Sequence, residues 1–112
     1  MEKSAKEVPA DLARAGEVRH FIAWRAAVAG LGGGRLNDLA VTAEAVLTDV
    51  LLSARGGVLG IEAGRTGDAF EVRITHPELG DRRVSDLSGI LERFLDDYEI
   101  TPTQAVLVKR LR

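Results

Sequence analysis

Hydrophobic residues recur at helical spacing in three segments of the chain. The first begins near Pro9 and Asp11 and continues to Ala29, where a glycine-rich linker at 30–34 ends it. The second covers residues 36–54 and has the most regular i, i+3, i+4, i+7 stripe. The third covers residues 84–98. The pattern therefore predicts three amphipathic helices.

Strand patterns occupy the remaining stretches. Residues 58–62 and 69–75 are short β-rich runs separated by turn residues at 64–68, which predicts a hairpin. The strict alternation in 69–75 indicates either a sheet with one solvated face or a strand near the edge of the sheet. The last run, 104–111, is apolar on both faces at its centre, which is typical of an interior strand.

The element order predicts an α/β (α+β) two-layer sandwich, with three helices on one face of a small mixed or antiparallel sheet. A length of 112 residues suits one domain. Residues 1–7 are polar and charged, so we expect a flexible N-terminal tail. Residues 8–112 then form the single folded domain.

Composition narrows the function classes. A net charge of −2 gives no reason to expect nucleic-acid binding. The chain has no cysteine and only two histidines, without metal-ligand spacing, so we expect no disulfide and no metal site. No segment is typical of a signal peptide or a membrane helix. We therefore expect a cytoplasmic protein that does not bind membranes.

Five segments together carry a resemblance to a known family. They are Val8 to Trp24, Asp38 to Gly57, Phe70 to Ile74, Ser85 to Ile100 and Ala105 to Leu111. In the order and length of these segments, residues 8–111 resemble the GHKL-type ATPase domain of bacterial anti-sigma-factor serine kinases. The resemblance implies the Bergerat-like ATPase fold of that family.

The second helix departs from the family pattern at its magnesium site. In the family this helix carries a glutamate that activates water and, one turn later, an asparagine that ligates magnesium. One alignment places Asp49 and Ser53 at these positions, and a shifted alignment places Glu44 and Thr48 there. Neither alignment supplies the asparagine, and both remain open.

The adenine-binding motif and the lid depart as well. Where the family has Asp-x-Gly-x-Gly, this chain has His76, Glu78 and Gly80 in a stretch from 75 to 80. His76 replaces the aspartate, and Glu78 adds negative charge where an anionic nucleotide would pass. Only eight residues separate Thr75 from Val84, so we expect no ATP lid.

These departures predict a pseudo-ATPase without catalytic residues or cofactor. The resemblance implies a regulatory module of bacterial transcription that binds a sigma factor or an anti-sigma antagonist. Two alternatives are an ATP- and magnesium-dependent serine/threonine protein kinase with an atypical site, and a structural dimerisation domain. The family commonly dimerises through its N-terminal segment, which makes four residues of the first helix candidate homodimer or partner contacts. These are Val18, Phe21, Trp24 and Arg25.

Overall fold

The computed structural model describes residues 3–79 and 87–112. Three α-helices and five strands form the described part of the fold. The helices are α1 (Ala15–Val28), α2 (Gly33–Ser53) and α3 (Ser88–Phe94), and a one-turn 3-10 helix, Leu12–Arg14, precedes α1. The strands are β1 (Lys3–Pro9), β2 (Val58–Thr66), β3 (Ala69–Thr75), β4 (Asp97–Thr101) and β5 (Gln104–Arg110).

All five strands belong to one antiparallel sheet in the order β1-β2-β3-β5-β4. The helices cover one face of this sheet, and α1 also packs along α2. The predicted two-layer α+β sandwich is therefore confirmed. The predicted interior position of the last strand is also confirmed, because β5 lies between β3 and β4.

The core lies between the sheet and the helices. Alternate residues of the central strands point into it, because successive side chains of a strand face opposite sides of the sheet. The sheet side includes Leu59, Ile61, Phe70, Val72, Ile74 and Leu107, all at most 2% exposed. The helix side includes Ile22, Leu39, Val46 and Leu47, also at most 2% exposed. Helix α2 is therefore the central element of the helical layer.

Strand β1 corrects the prediction of a loose N-terminal tail. Residues 3–7 pair with β2 in register, from Lys3 opposite Gly64 to Pro9 opposite Val58. Val8 is buried at 2% exposure and anchors the strand to the core. A polar composition is compatible with an edge strand, because charged side chains are common at sheet edges.

The third helix is shorter than predicted, and a strand follows it. The predicted span 84–98 begins outside the described residues, and the helix at 88–94 ends before Leu95. Tyr98 and Ile100 are half-buried and alternate with more polar neighbours in β4. Thr101 lies opposite Gln104, so Pro102 and Thr103 form a two-residue hairpin turn.

The glycine-rich linker and the β2–β3 turn also differ from their predicted bounds. Helix α2 begins at Gly33, with Gly32 as its N-cap residue, so part of the predicted linker is helical. Strand β2 continues to Thr66 and leaves only Gly67 and Asp68 in the turn. Gly67 has φ +63°, a conformation that glycine adopts without steric cost.

Candidate functional site

Helix α2 forms one wall of an open groove of about 380 Å³. Glu44, Thr48 and Asp49 line this groove together, and Leu87 contributes from the start of α3. The three α2 residues share a surface because side chains three to five positions apart project from neighbouring parts of a helix. Both residues of one alignment and the first residue of the other therefore line one groove, which we call the α2 groove.

The α2 groove carries negative charge. Among the described residues that line it, Glu44 and Asp49 are acidic and none is basic. Glu44 forms an ion pair with Arg19 of α1, with both side chains about half exposed (50% and 49%), so solvent weakens the pair. The described lining therefore offers no basic side chain of its own to a triphosphate.

Apolar side chains complete the α2 groove. Val41 is 42% exposed and Leu52 is 60% exposed, and Ala45 lies between them on the same face. Ser53 is the last residue of α2. The described surface is thus amphipathic, with two carboxylates beside aliphatic side chains. Aliphatic contacts of this kind suit a protein side chain better than a hydrated metal–phosphate group.

His76 has a structural position. Its side chain is buried at 2% exposure. Its Nδ1 accepts a hydrogen bond from the Glu78 N–H at 3.0 Å, so the proton lies on Nε2, which donates to the Gly56 carbonyl at 2.8 Å. Both ring nitrogens are therefore engaged by the backbone, and neither is left for an adenine base.

The other two residues of the predicted adenine motif give less information. Glu78 is half-buried, and its N–H is the donor that holds His76. Gly80 lies outside the described residues, as does the second half of the stretch 76–83 in which we expected no lid. The Pro77 to Leu79 turn places the described part of the motif against the α2–β2 connection.

The four candidate contact residues of α1 differ in their exposure to solvent. Val18 is wholly buried, so the prediction that it contacts a partner is wrong. Phe21 is half-buried against the core, and Arg25 lines a cavity near the β2–β3 turn. Trp24 is 59% exposed, and Val28, one turn later, is 61% exposed. We call Trp24 and Val28 the α1 stripe.

Sequence reasoning missed the exposure of Val28. Its spacing from Val18 and Ile22 suggested one apolar face, but α1 has two. Val18, Ile22 and Ala26 face the core, while Trp24 and Val28 face solvent. A weakly amphipathic helix with apolar residues on two sides is a signal that one side is available for a partner.

Within residues 3–79 and 87–112, the structure has neither a cluster of metal ligands nor a membrane-spanning helix. No group of three or more histidine, aspartate or glutamate side chains is arranged to hold a metal ion. None of the described helices is both long and apolar enough to cross a bilayer. In comparisons with known proteins, no family model and no curated protein matches the chain.

Proposed function

We propose that this chain is a non-catalytic regulatory module that works by binding protein, with a second copy of itself as the first partner. A sigma factor or an anti-sigma antagonist is the second partner that the family resemblance suggests. On this proposal the chain acts in bacterial transcription regulation. The scaffold of an anti-sigma kinase is retained, and its nucleotide site is not used.

The observation that carries the proposal is the α1 stripe. Trp24 exposes more than half of a large apolar side chain, and Val28 continues the exposed surface one turn along α1. Tryptophan is strongly enriched among the residues that dominate binding energy at protein interfaces. An exposed aromatic beside an exposed aliphatic residue therefore favours a protein partner over solvent.

The neighbouring strand supports a symmetric contact. Strand β1 is an edge strand, and it pairs only with β2 among the described strands. Lys6 of β1 forms an ion pair with Glu17 of α1 at 2.8 Å, which fixes this edge against the helix that carries the stripe. When an edge strand lies beside the apolar face of a helix, one partner in an isologous dimer can cover both.

The α2 groove supports a function without ATP hydrolysis. Its described lining offers two carboxylates and aliphatic side chains to a ligand that carries several negative charges. His76, at the position that would recognise adenine, is bonded to backbone at both nitrogens. The alternative of a structural dimerisation domain shares the α1 contact but needs no further partner.

An ATP-dependent serine kinase is the second candidate, because one observation favours it. Glu44, Thr48 and Asp49 converge on one groove, as ligands of a bound metal would. This candidate requires ATP binding that depends on magnesium and that Asp49→Ala weakens. Binding that magnesium does not strengthen, or that the variant leaves unchanged, would exclude it.

The proposal is tested with the single tryptophan of the chain. The emission of Trp24 should shift to shorter wavelength as the protein concentration rises, because association removes the indole from water. Trp24→Ser should shift the equilibrium toward monomer in sedimentation velocity. Leu52→Ser is the matched control, since Leu52 is equally exposed at 60% but lies on α2.

A further inference from the structure

The end of the molecule near the start of α2 concentrates positive charge. Three adjoining cavities open there, and the middle one shares Arg65 with one neighbour and Arg112 with the other. We call the charged residues that line them the basic end. They are Arg25, Arg35, Arg65, Lys109 and Arg112, with Asp38 and Asp68 as the acidic members.

The charge of the basic end contrasts with that of the rest of the chain. It holds five of the 15 basic side chains and two of the 17 acidic ones, so it carries +3 while the remainder carries −5. The first turn of α2 adds no acidic residue. A chain that is acidic overall thus has one concave surface that attracts anions.

Most of these cations are not used by the fold. Within residues 3–79 and 87–112, Arg25, Arg35 and Arg112 make no hydrogen bond or ion pair. Arg65 uses its Nε to donate to the Gly67 carbonyl at 2.9 Å, which orients its guanidinium and leaves the terminal nitrogens for a ligand. Unpaired guanidinium groups that line one continuous surface are free to bind a shared anion.

The acidic members oppose this charge only in part. The buried Lys109, 8% exposed, lies 3.4 Å from Asp38 and donates to the Phe94 carbonyl at 2.7 Å. Lys109 therefore neutralises Asp38, and Asp68 is the remaining carboxylate. The Leu111 N–H donates to the Asp68 carbonyl at 2.9 Å, which keeps Arg112 beside the β2–β3 turn.

We propose that the basic end binds an oligophosphate group, either free or carried by a nucleoside. Planar guanidinium groups bind phosphate oxygens in pairs, and several of them can share one phosphate chain. Gly30, Gly32 and Gly34 line the same cavities, and a side chain added at any of them would meet open space. The two arginine-lined cavities of about 470 and 810 Å³ leave room for a ligand of this size.

An acidic peptide is the competing occupant, and the lining favours phosphate. Among the described residues that line these two cavities, only Ala29 and Leu111 have an apolar side chain. A peptide would find little apolar surface for its own side chains, whereas a phosphate chain needs only cations and exposed backbone. The third cavity has a volume of about 480 Å³ and the exposed Val28 in its lining, so a nucleoside base would fit there.

The probe for the test is sodium tripolyphosphate without magnesium, added to the full chain and followed by calorimetry and amide NMR. The largest shifts should occur at Gly30 to Arg35 and Arg65 to Asp68. Arg35→Gln and Arg65→Gln should each weaken binding about three- to tenfold, as loss of an exposed charged hydrogen bond does. Arg35 has no partner among the described residues, so we expect its variant to keep the fold.

Arg55→Gln is the matched control, because it removes the same charge from an exposed site beyond the other end of α2. It should change the affinity less than twofold. ATP without magnesium should bind at least as tightly as tripolyphosphate, and a clearly tighter ATP complex would identify a nucleoside carrier. Magnesium should weaken both, because it neutralises the phosphates.

Three results with tripolyphosphate would overturn the proposal, and a fourth comes from a peptide probe. The first three are no binding of tripolyphosphate at millimolar concentration, shifts centred on the α2 groove, or equal losses in the Arg35, Arg65 and Arg55 variants. Tighter binding of a deca-glutamate peptide than of tripolyphosphate would also overturn it and would assign the basic end to an acidic protein. Dimerisation is tested separately with Trp24→Ser, because Trp24 lines none of the three cavities.

Discussion

At the scale of single residues, His76 joins two parts of the chain that are far apart in sequence. Its ring connects the turn after β3 to Gly56, at the end of the α2–β2 connection. We expect His76→Ala to lower the free energy of unfolding by about 1–3 kcal/mol, because two hydrogen bonds of a buried group are lost. Urea denaturation measures this change.

His20→Ala is the control for that variant, since His20 is the only other histidine and lies exposed on α1. Its effect should stay within about 0.5 kcal/mol. Equal effects of the two substitutions would show that the His76 ring does not hold the two connections together.

Ionisation of a single residue, Glu17, makes the stability of the folded state depend on pH. Hydrogen bonds from Arg14 and Lys6 lower the pKa of its carboxyl from 4.5 to about 2. The ionised form therefore stabilises the folded state at pH values above 4.5, and this contribution is lost as the pH falls toward 2. The wild type and Glu17→Gln should differ in stability above that range and converge at its acidic end.

NMR titration of the Glu17 carboxyl measures its pKa and tests directly whether Arg14 and Lys6 lower it. High salt should bring its pKa back toward the ordinary value, because the two ion pairs are solvent-exposed. An ordinary pKa at low salt would contradict the ion-pair geometry of α1 and β1.

The burial and contacts of individual residues were also the features that the sequence predicted least well. The alignment placed His76 in a nucleotide site, but its partners Gly56 and Glu78 become visible only when the α2–β2 connection is folded against β3. Trp24 and Val18 both fit an apolar helix, yet only the packing of α1 on the sheet decides which of them is buried. Long-range packing, rather than local pattern, settles such positions.

At the scale of elements, the contribution of β1 to the stability of the fold is the main prediction. Removal of residues 1–7 should lower the free energy of unfolding by about 2–4 kcal/mol, because ladder hydrogen bonds with β2 and the anchoring of Val8 are lost. For a domain of this size the melting temperature should fall by roughly 8 °C or more. Thermal denaturation followed by circular dichroism measures the shift.

The double variant Lys3→Gln/Lys6→Gln distinguishes the contribution of β1–β2 strand pairing from that of charge. It removes only the ion pairs to Glu71 and Glu17. The double variant should lose about 1 kcal/mol or less. An unchanged melting temperature after truncation would restore the expectation of a loose tail.

Elements with a regular hydrophobic period were predictable from the sequence. A short element that directly follows such a periodic segment was not. The stripe of α2 and the alternation of β3 gave both elements within a few residues of their bounds. Strand β4 was missed because Tyr98 also fits the helical spacing of the preceding segment. The pairing of β4 with β5, which the Pro102-Thr103 turn permits, decides that Tyr98 belongs to a strand.

At the scale of the whole molecule, the two-layer architecture followed from the element order, but the distribution of charge did not. The sequence shows a near-neutral chain, while the fold gathers five cations at one end and places Glu44 and Asp49 in the α2 groove. Residues from four separate segments meet at the basic end. No local motif in the sequence marks such a surface.

The central claim is that this scaffold binds protein through α1, and sedimentation velocity tests it most directly. The account predicts a dimer that forms with rising concentration, that Trp24→Ser dissociates and that Leu52→Ser leaves intact. A wild-type chain that stays monomeric at its highest soluble concentration, with Trp24 emission unchanged, would contradict it.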